Sequence, residues 1–149
     1  MTEAEDPNFE ARVRASFARQ AFMTTLGARL AVVEPGRVVI ELPFRPDLTQ
    51  QHGFLHAGVL ASVVDSACGY AALTLMPPGA AVLSVEFKIN LMKPAAGASF
   101  RAVGKVLRRG RTLTVCSGEA EAVDAGGSSV IAVMQATMMT VRDQEGLAD

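Results

Sequence analysis

Apolar residues recur along this chain in two rhythms, and the changes between them mark its elements. Phe9, Val13, Phe17 and Ala21 return every four residues, as on one face of an α-helix, and Asp6-Pro7 before them supplies an N-cap residue and a first-turn proline. The spacing predicts a helix over about 7–26, ending near Gly27. Two β-rich runs follow, 28–34 and 37–44, separated by Pro35-Gly36 as in a hairpin. Residues 45–56 read as a polar loop. From Ala57 to Met76 the chain is almost continuously apolar, and Pro77-Pro78-Gly79 stops it. Strand-like segments then cover about 80–93, 98–109, 111–124 and 128–142, with Gly126-Gly127 turning into the last. In the first of these, Leu83, Val85, Phe87, Ile89 and Leu91 alternate with Ser84, Glu86, Lys88 and Asn90, which predicts one buried and one polar face. Short connections make the sheet antiparallel. The order is α+β, and a central helix that is apolar on nearly every side has to be wrapped by the sheet.

Composition narrows the setting. With 149 residues, 50% of them hydrophobic, the chain suits a single domain, 1–149, with its core over about 28–142 and a short tail at 143–149. Lys and Arg number 14 against 15 Asp and Glu, so a net charge of -1 draws in neither nucleic acid nor an anionic membrane, and any anionic ligand must be gripped locally. Residues 57–76 are nearly long enough to span a bilayer. A central Asp65 would cost about 3 kcal/mol in lipid, and the flanking strands offer it a protein core, so a buried helix is expected and no membrane association. Cys68 and Cys116 sit in apolar runs without CxxC or ligand-like spacing, and Met1 to Asp6 is acidic rather than signal-like. A cytoplasmic protein with reduced, core-packed thiols is the expectation.

At 100° per residue the central helix has two unlike faces. Leu60, Val63, Val64, Ala67, Ala71 and Leu75 form the broad side expected against the sheet. Gly58, Ala61, Ser62, Asp65, Gly69 and Ala72 form the other, and every member but the carboxylate is small. Small residues allow close approach by a thin ligand tail or by a second subunit. Asp65 has a structural reading, capping another element or pairing with an Arg. Yet no Lys or Arg occurs between Arg45 and Lys88, so no local cation offsets its desolvation. Desolvation makes the anion more basic, which suits a general base or nucleophile. Ahead of the helix runs Gln50-Gln51-His52-Gly53-Phe54-Leu55-His56-Ala57-Gly58. A helix starting at His56 or Ala57 would point the free N–H groups of Ala57 and Gly58 outward, with the positive end of the helix dipole behind them, ready for an oxyanion. Asp65 lies roughly 12 Å further along by helical rise, too far unless side-chain reach and a partner subunit close the gap. His52 and His56 equally suit loop histidines that hydrogen-bond the backbone. No third ligand stands at metal spacing, so no metal site is expected, and Ser62 and Ser66 lack a nucleophile-elbow sequence.

Read as Gln-x5-His-Ala-Gly-x6-Asp, residues 50–65 resemble the signature of hotdog-fold thioesterases of the PaaI and 4-hydroxybenzoyl-CoA type. Ser84-Val85-Glu86-Phe87-Lys88-Ile89-Asn90-Leu91-Met92-Lys93-Pro94-Ala95 and Arg109-Gly110-Arg111-Thr112 extend the resemblance over most of the chain. It implies a hotdog fold: a helix in a five- to six-stranded antiparallel sheet, subunits joined edge to edge as a homodimer that can pair into a tetramer, and sites shared between two chains. It also implies an acyl-CoA substrate and no metal or redox cofactor. Asp65 matches the catalytic carboxylate, acting directly or through water. The N–H of Ala57 or Gly58, beside His56, would polarise the thioester carbonyl. Gln50 matches a polar position that orients water or the carboxylate, and Ser84 a supporting strand hydroxyl. Gly69 lies on the substrate-facing side of the helix. Relatives usually read His-Gly-Gly, so Ala57 sets a methyl group where the thioester approaches. Arg109 and Arg111 are either ordinary solvated charges at a hairpin or partners for the phosphates of coenzyme A, with Lys93 a further candidate. Two other functions stay open: a non-catalytic acyl-CoA-binding module, and hydroxyacyl-thioester dehydration, whose usual His-x-Pro-Gly-x-Pro-rich loop is missing.

Overall fold

In the computed structural model residues 3–149 are described, so Met1 and Thr2 of the acidic N-terminus lie outside the described residues. The helix expected over 7–26 is two helices. Asp6 accepts the Asn8 N–H at 2.8 Å instead of capping the helix, and α1 runs Phe9–Arg19 with Pro7 outside it. Gln20, extended at φ -80° and ψ 93°, closes α1 by donating its N–H to Phe17 O and opens α2, Ala21–Leu26. Neither proline nor glycine forces this break. Packing does: Val13 is buried and Phe9 and Phe17 rest on the core, but the four-residue rhythm stops there, for Ala21 is exposed while Met23 and Leu26 are buried. Gly27, at φ +72°, caps α2 in the left-handed conformation.

The hairpin stands as expected, with β1 (Arg29–Glu34) and β2 (Arg37–Pro43) antiparallel around Pro35-Gly36. After the loop, α3 spans Ala57–Leu73. It stops one turn short of Met76, and its last carbonyls are gathered by a residue far away in sequence: Arg12 donates to Leu73 O, Met76 O and Pro77 O at 2.7–2.9 Å. Four long strands complete the chain, β3 (Ala81–Leu91), β4 (Ser99–Arg108), β5 (Leu113–Asp124) and β6 (Gly127–Val141). All pairings are antiparallel in the order β1-β2-β4-β5-β6-β3, and α3 packs on β2, β3, β4, β5 and β6. This is the hotdog arrangement. The residues assigned to the broad side of α3 are all buried, Leu60, Val63, Val64, Ala67, Ala71 and Leu75 alike. Among the described residues no helix is long and apolar enough to cross a membrane.

Two glycines set how closely helix and sheet meet. Gly104 and Gly118 face each other across β4 and β5. A Cβ on Gly104 would collide with the Ala67 carbonyl, and one on Gly118 with Val64 and the Cys68 sulfur. The sheet is reduced to bare backbone where α3 presses on it.

The alternation expected along β3 breaks in the middle. A β-bulge falls between Ser84 and Glu86, and the extra residue resets which side each later side chain faces. Ser84 consequently points to α3, opposite Met138, while Phe87 opposite Ala136 also points inward. Nor is the apolar set buried: Leu83, Val85, Phe87 and Leu91 are between 43% and 54% exposed. The reason is position, because β3 is an edge strand whose outer edge pairs with no other strand among the described residues.

Candidate active site

The loop before α3 is braced from within. Gln50 Oε1 accepts from the N–H of His52 at 2.6 Å and of Phe54 at 3.3 Å, and Gly53 turns the chain at φ +85°. The His56 N–H donates to Leu48 O, and the Leu55 N–H to Ala95 O, which ties the loop to the segment after β3. His56 is the N-cap of α3: its Nδ1 accepts the Gly58 N–H at 2.8 Å. A Cβ on Gly58 would stand only 3.0 Å from that nitrogen, so glycine there lets the imidazole fold over the helix end. This corrects the expectation of two free amides. The Gly58 N–H is spent on His56, whereas no acceptor among the described residues meets the Ala57 N–H. Ala57 lines a cavity of about 400 Å³ together with Gln50, Lys93 and apolar residues of the loop and of the end of β3.

Asp65 lies in a different place. Its half-buried carboxylate accepts the Ser84 hydroxyl at 2.7 Å and forms no ion pair among the described residues. Burial raises its pKa above the ordinary carboxylate value of 3.8, and the Ser84 hydrogen bond offsets part of that rise. The surrounding cavity, about 120 Å³, takes in Gly69 and Ser84. At Gly69 a Cβ would meet nothing nearer than Met138 Sδ at 4.0 Å, so the fold itself does not demand glycine there. The small face of α3 opens toward its start, where Gly58 is exposed, and is covered further on, where Gly69 and Ala72 are buried.

A third cavity, about 310 Å³, lies at the far end of α3 beside Met76 and Pro77 and carries Arg109, Arg111 and Arg142. Arg109 is paired with Glu5, and Arg142 donates to Arg111 O at 2.9 Å. The residues singled out in the sequence therefore fall into three groups. Gln50, Ala57 and Lys93 share one cavity, Asp65, Gly69 and Ser84 another, and Arg109 and Arg111 a third; His52 stays exposed. Polar residues not singled out in the sequence also join these cavities, among them Gln20, Tyr70 and Asp149 beside Asp65, and Arg142 beside the arginines. Arg142 closes the last strand as a basic residue, a signal that was there to read. Gln20 and Asp149 offered none, because each reaches its cavity from a segment distant in sequence. Cys68 and Cys116 are buried free thiols, as expected, and burial pushes the Cys116 thiol up to about 12.

A family model described as the thioesterase superfamily matches residues 52–129, a stretch that takes in α3 with Asp65, Ser84 and the arginine hairpin. Acyl-coenzyme A thioesterase 13 of Homo sapiens is 32% identical over 107 residues, which cover 70% of this chain and 76% of that protein. A thioesterase family protein from Silicibacter pomeroyi, of known crystal structure, is 52% identical, with a TM-score of 0.88 over 89% of this chain and 98% of that one. The PaaI protein of E. coli has a TM-score of 0.82 over 97% and 99% of the two chains at 18% identity, a likeness of fold.

Proposed function

This chain belongs to the thioesterase superfamily, and from that premise we propose that it hydrolyses an acyl-coenzyme A thioester to the free acid and coenzyme A. Asp65 is the catalytic carboxylate. Either it takes a proton from water as the water oxygen adds to the thioester carbon, or it adds to that carbon itself and water then cleaves the resulting anhydride. In both courses the C–S bond breaks and the departing sulfur leaves as the thiol of coenzyme A. Water is the only co-reactant, so the reaction needs neither metal nor redox cofactor. The Ala57 N–H, at the positive end of α3, holds the carbonyl oxygen as negative charge gathers there. Gln50 keeps the loop in shape around it. Arg111 and Arg142, with Arg109 and Lys93, are assigned to the phosphates of coenzyme A. Free thiols at both cysteines agree with a reducing, cytoplasmic setting.

The observation that carries this reading is that the uncompensated carboxylate and the unpaired amide face different cavities. Each half lies at one end of β3: Leu91 lines the cavity of Ala57, and Val82 and Ser84 line that of Asp65. β3 is also the exposed apolar edge of the sheet, the kind of edge that recruits another strand. If two copies join antiparallel through β3 about a two-fold axis near Glu86 and Phe87, Val82 of each comes beside Leu91 of the partner subunit. The Ala57 end of one chain then meets the Asp65 end of the other, twice over. We therefore propose a homodimer with two shared sites, which can pair further into a tetramer.

Release of free thiol over a panel of aliphatic and aromatic acyl-CoAs, run beside Asp65→Asn, tests the reaction. The expected result is turnover by the wild type and a loss of about a thousandfold or more in the variant, with substrate binding retained. Normal turnover by Asp65→Asn would overturn the assignment. Binding of acyl-CoA by both proteins, with hydrolysis by neither, would make the chain a binding module.

A further inference from the structure

The cavity around Asp65 ends in a polar wall that the proposed reaction does not use. Asp149 accepts a hydrogen bond from Ser16 Oγ at 2.8 Å and another from the Val82 N–H at 2.9 Å. Ser16 Oγ lies 3.2 Å from the Tyr70 hydroxyl, and Gln20 Oε1 accepts from Ser66 Oγ at 3.3 Å. One carboxylate thus ties α1 to the start of β3 and, through Ser16, to α3. Gln20 reaches the same wall because the helix breaks at that residue.

Volume and polarity act together here. The cavity is small, about 120 Å³, and Asp149 and Gln20 make part of its lining polar. A longer aliphatic chain would have to press against Asp149 and Gln20, stripping them of water and giving no hydrogen bond in return. To pass further it would have to displace Asp149 from both of its donors.

We propose that Asp149 closes the acyl cavity and is the specificity-determining residue that limits this protein to short acyl groups. The inference rests on the hydrolase reading above, since it takes the acyl group to lie beyond the carbonyl on the side of Asp65.

The test is kcat/KM for straight-chain acetyl- to octanoyl-CoA with wild type, Asp149→Ala and Asp149→Asn. Alongside it, emission of Tyr70 is followed as butyryl-CoA or coenzyme A is added to Asp65→Asn. Tyr70 is the only tyrosine, and the chain has no tryptophan, so emission reports this cavity alone. Wild type is expected to lose about tenfold or more in kcat/KM between the butyryl and octanoyl esters. Asp149→Ala is expected to shrink that ratio to about threefold through a lower KM for the long ester, and Asp149→Asn, which keeps the shape, to stay near wild type. Butyryl-CoA, but not coenzyme A, should perturb Tyr70. An unchanged ratio in a folded Asp149→Ala protein, or a wild type that handles octanoyl as well as butyryl, would overturn the proposal. If no ester releases thiol, the hydrolase reading fails and Tyr70 decides alone: perturbation by butyryl-CoA keeps the acyl group in this cavity, and silence removes it.

Discussion

Burial and the Ser84 hydroxyl pull the Asp65 carboxyl in opposite directions, and burial prevails. Activity that needs the ionised form is therefore lost as pH falls through a pKa that lies above the ordinary carboxylate range. Ser84→Ala removes the bond that favours the anion, so the acid limb of the kcat/KM profile should move to higher pH, with turnover at neutral pH reduced by about tenfold. A limb that stayed put or moved down would show that Asp65 does not govern it. Asp65 was legible in the sequence because a charge inside an apolar run, with no cation nearby, is a chemical anomaly that needs no coordinates to see. The fate of the Gly58 N–H was not, since it depends on His56 turning its Nδ1 back over the helix. Sequence places a histidine before a helix; only the side-chain conformation says whether it caps or catalyses.

At the level of elements, strand and helix positions followed from periodicity, whereas their irregularities did not. The bulge at Ser84 and Glu86 comes from the fit of β3 against β6, and it turns Ser84 toward Asp65 where strict alternation would turn it away. The break at Gln20 likewise answers to where Met23 and Leu26 find room. The meeting of Gly104 and Gly118 under α3 requires the register of two strands to be known. Gly104→Ala is expected to cost about 3 kcal/mol or more, because the clash is with helix backbone that cannot rotate away. Denaturant unfolding would measure this, and a loss below about 1 kcal/mol would mean that α3 can lift off the sheet at little cost.

The whole molecule holds its chemistry in separate cavities along one helix, and the proposed homodimer accounts for this: a single chain would carry two halves of two different sites. Nothing in the periodicity of β3 distinguishes apolar residues buried by their own chain from apolar residues left exposed at a sheet edge, which is why they were expected to be buried. The shared site can be tested by mixing two proteins that are each inactive. Asp65→Asn lacks the carboxylate. Ala57→Pro replaces the amide hydrogen with a ring carbon, and the helix should tolerate it, since proline suits the first position of a helix and His56 already has the extended backbone, at ψ 136°, that a following proline requires. After the two are unfolded and refolded together, mixed dimers contain one site with both groups intact. Acyl-CoA hydrolysis should then return to about a quarter of the wild-type rate, half of the dimers being mixed and each having one working site of two. No recovery from a fully exchanged mixture would contradict a site built from two chains.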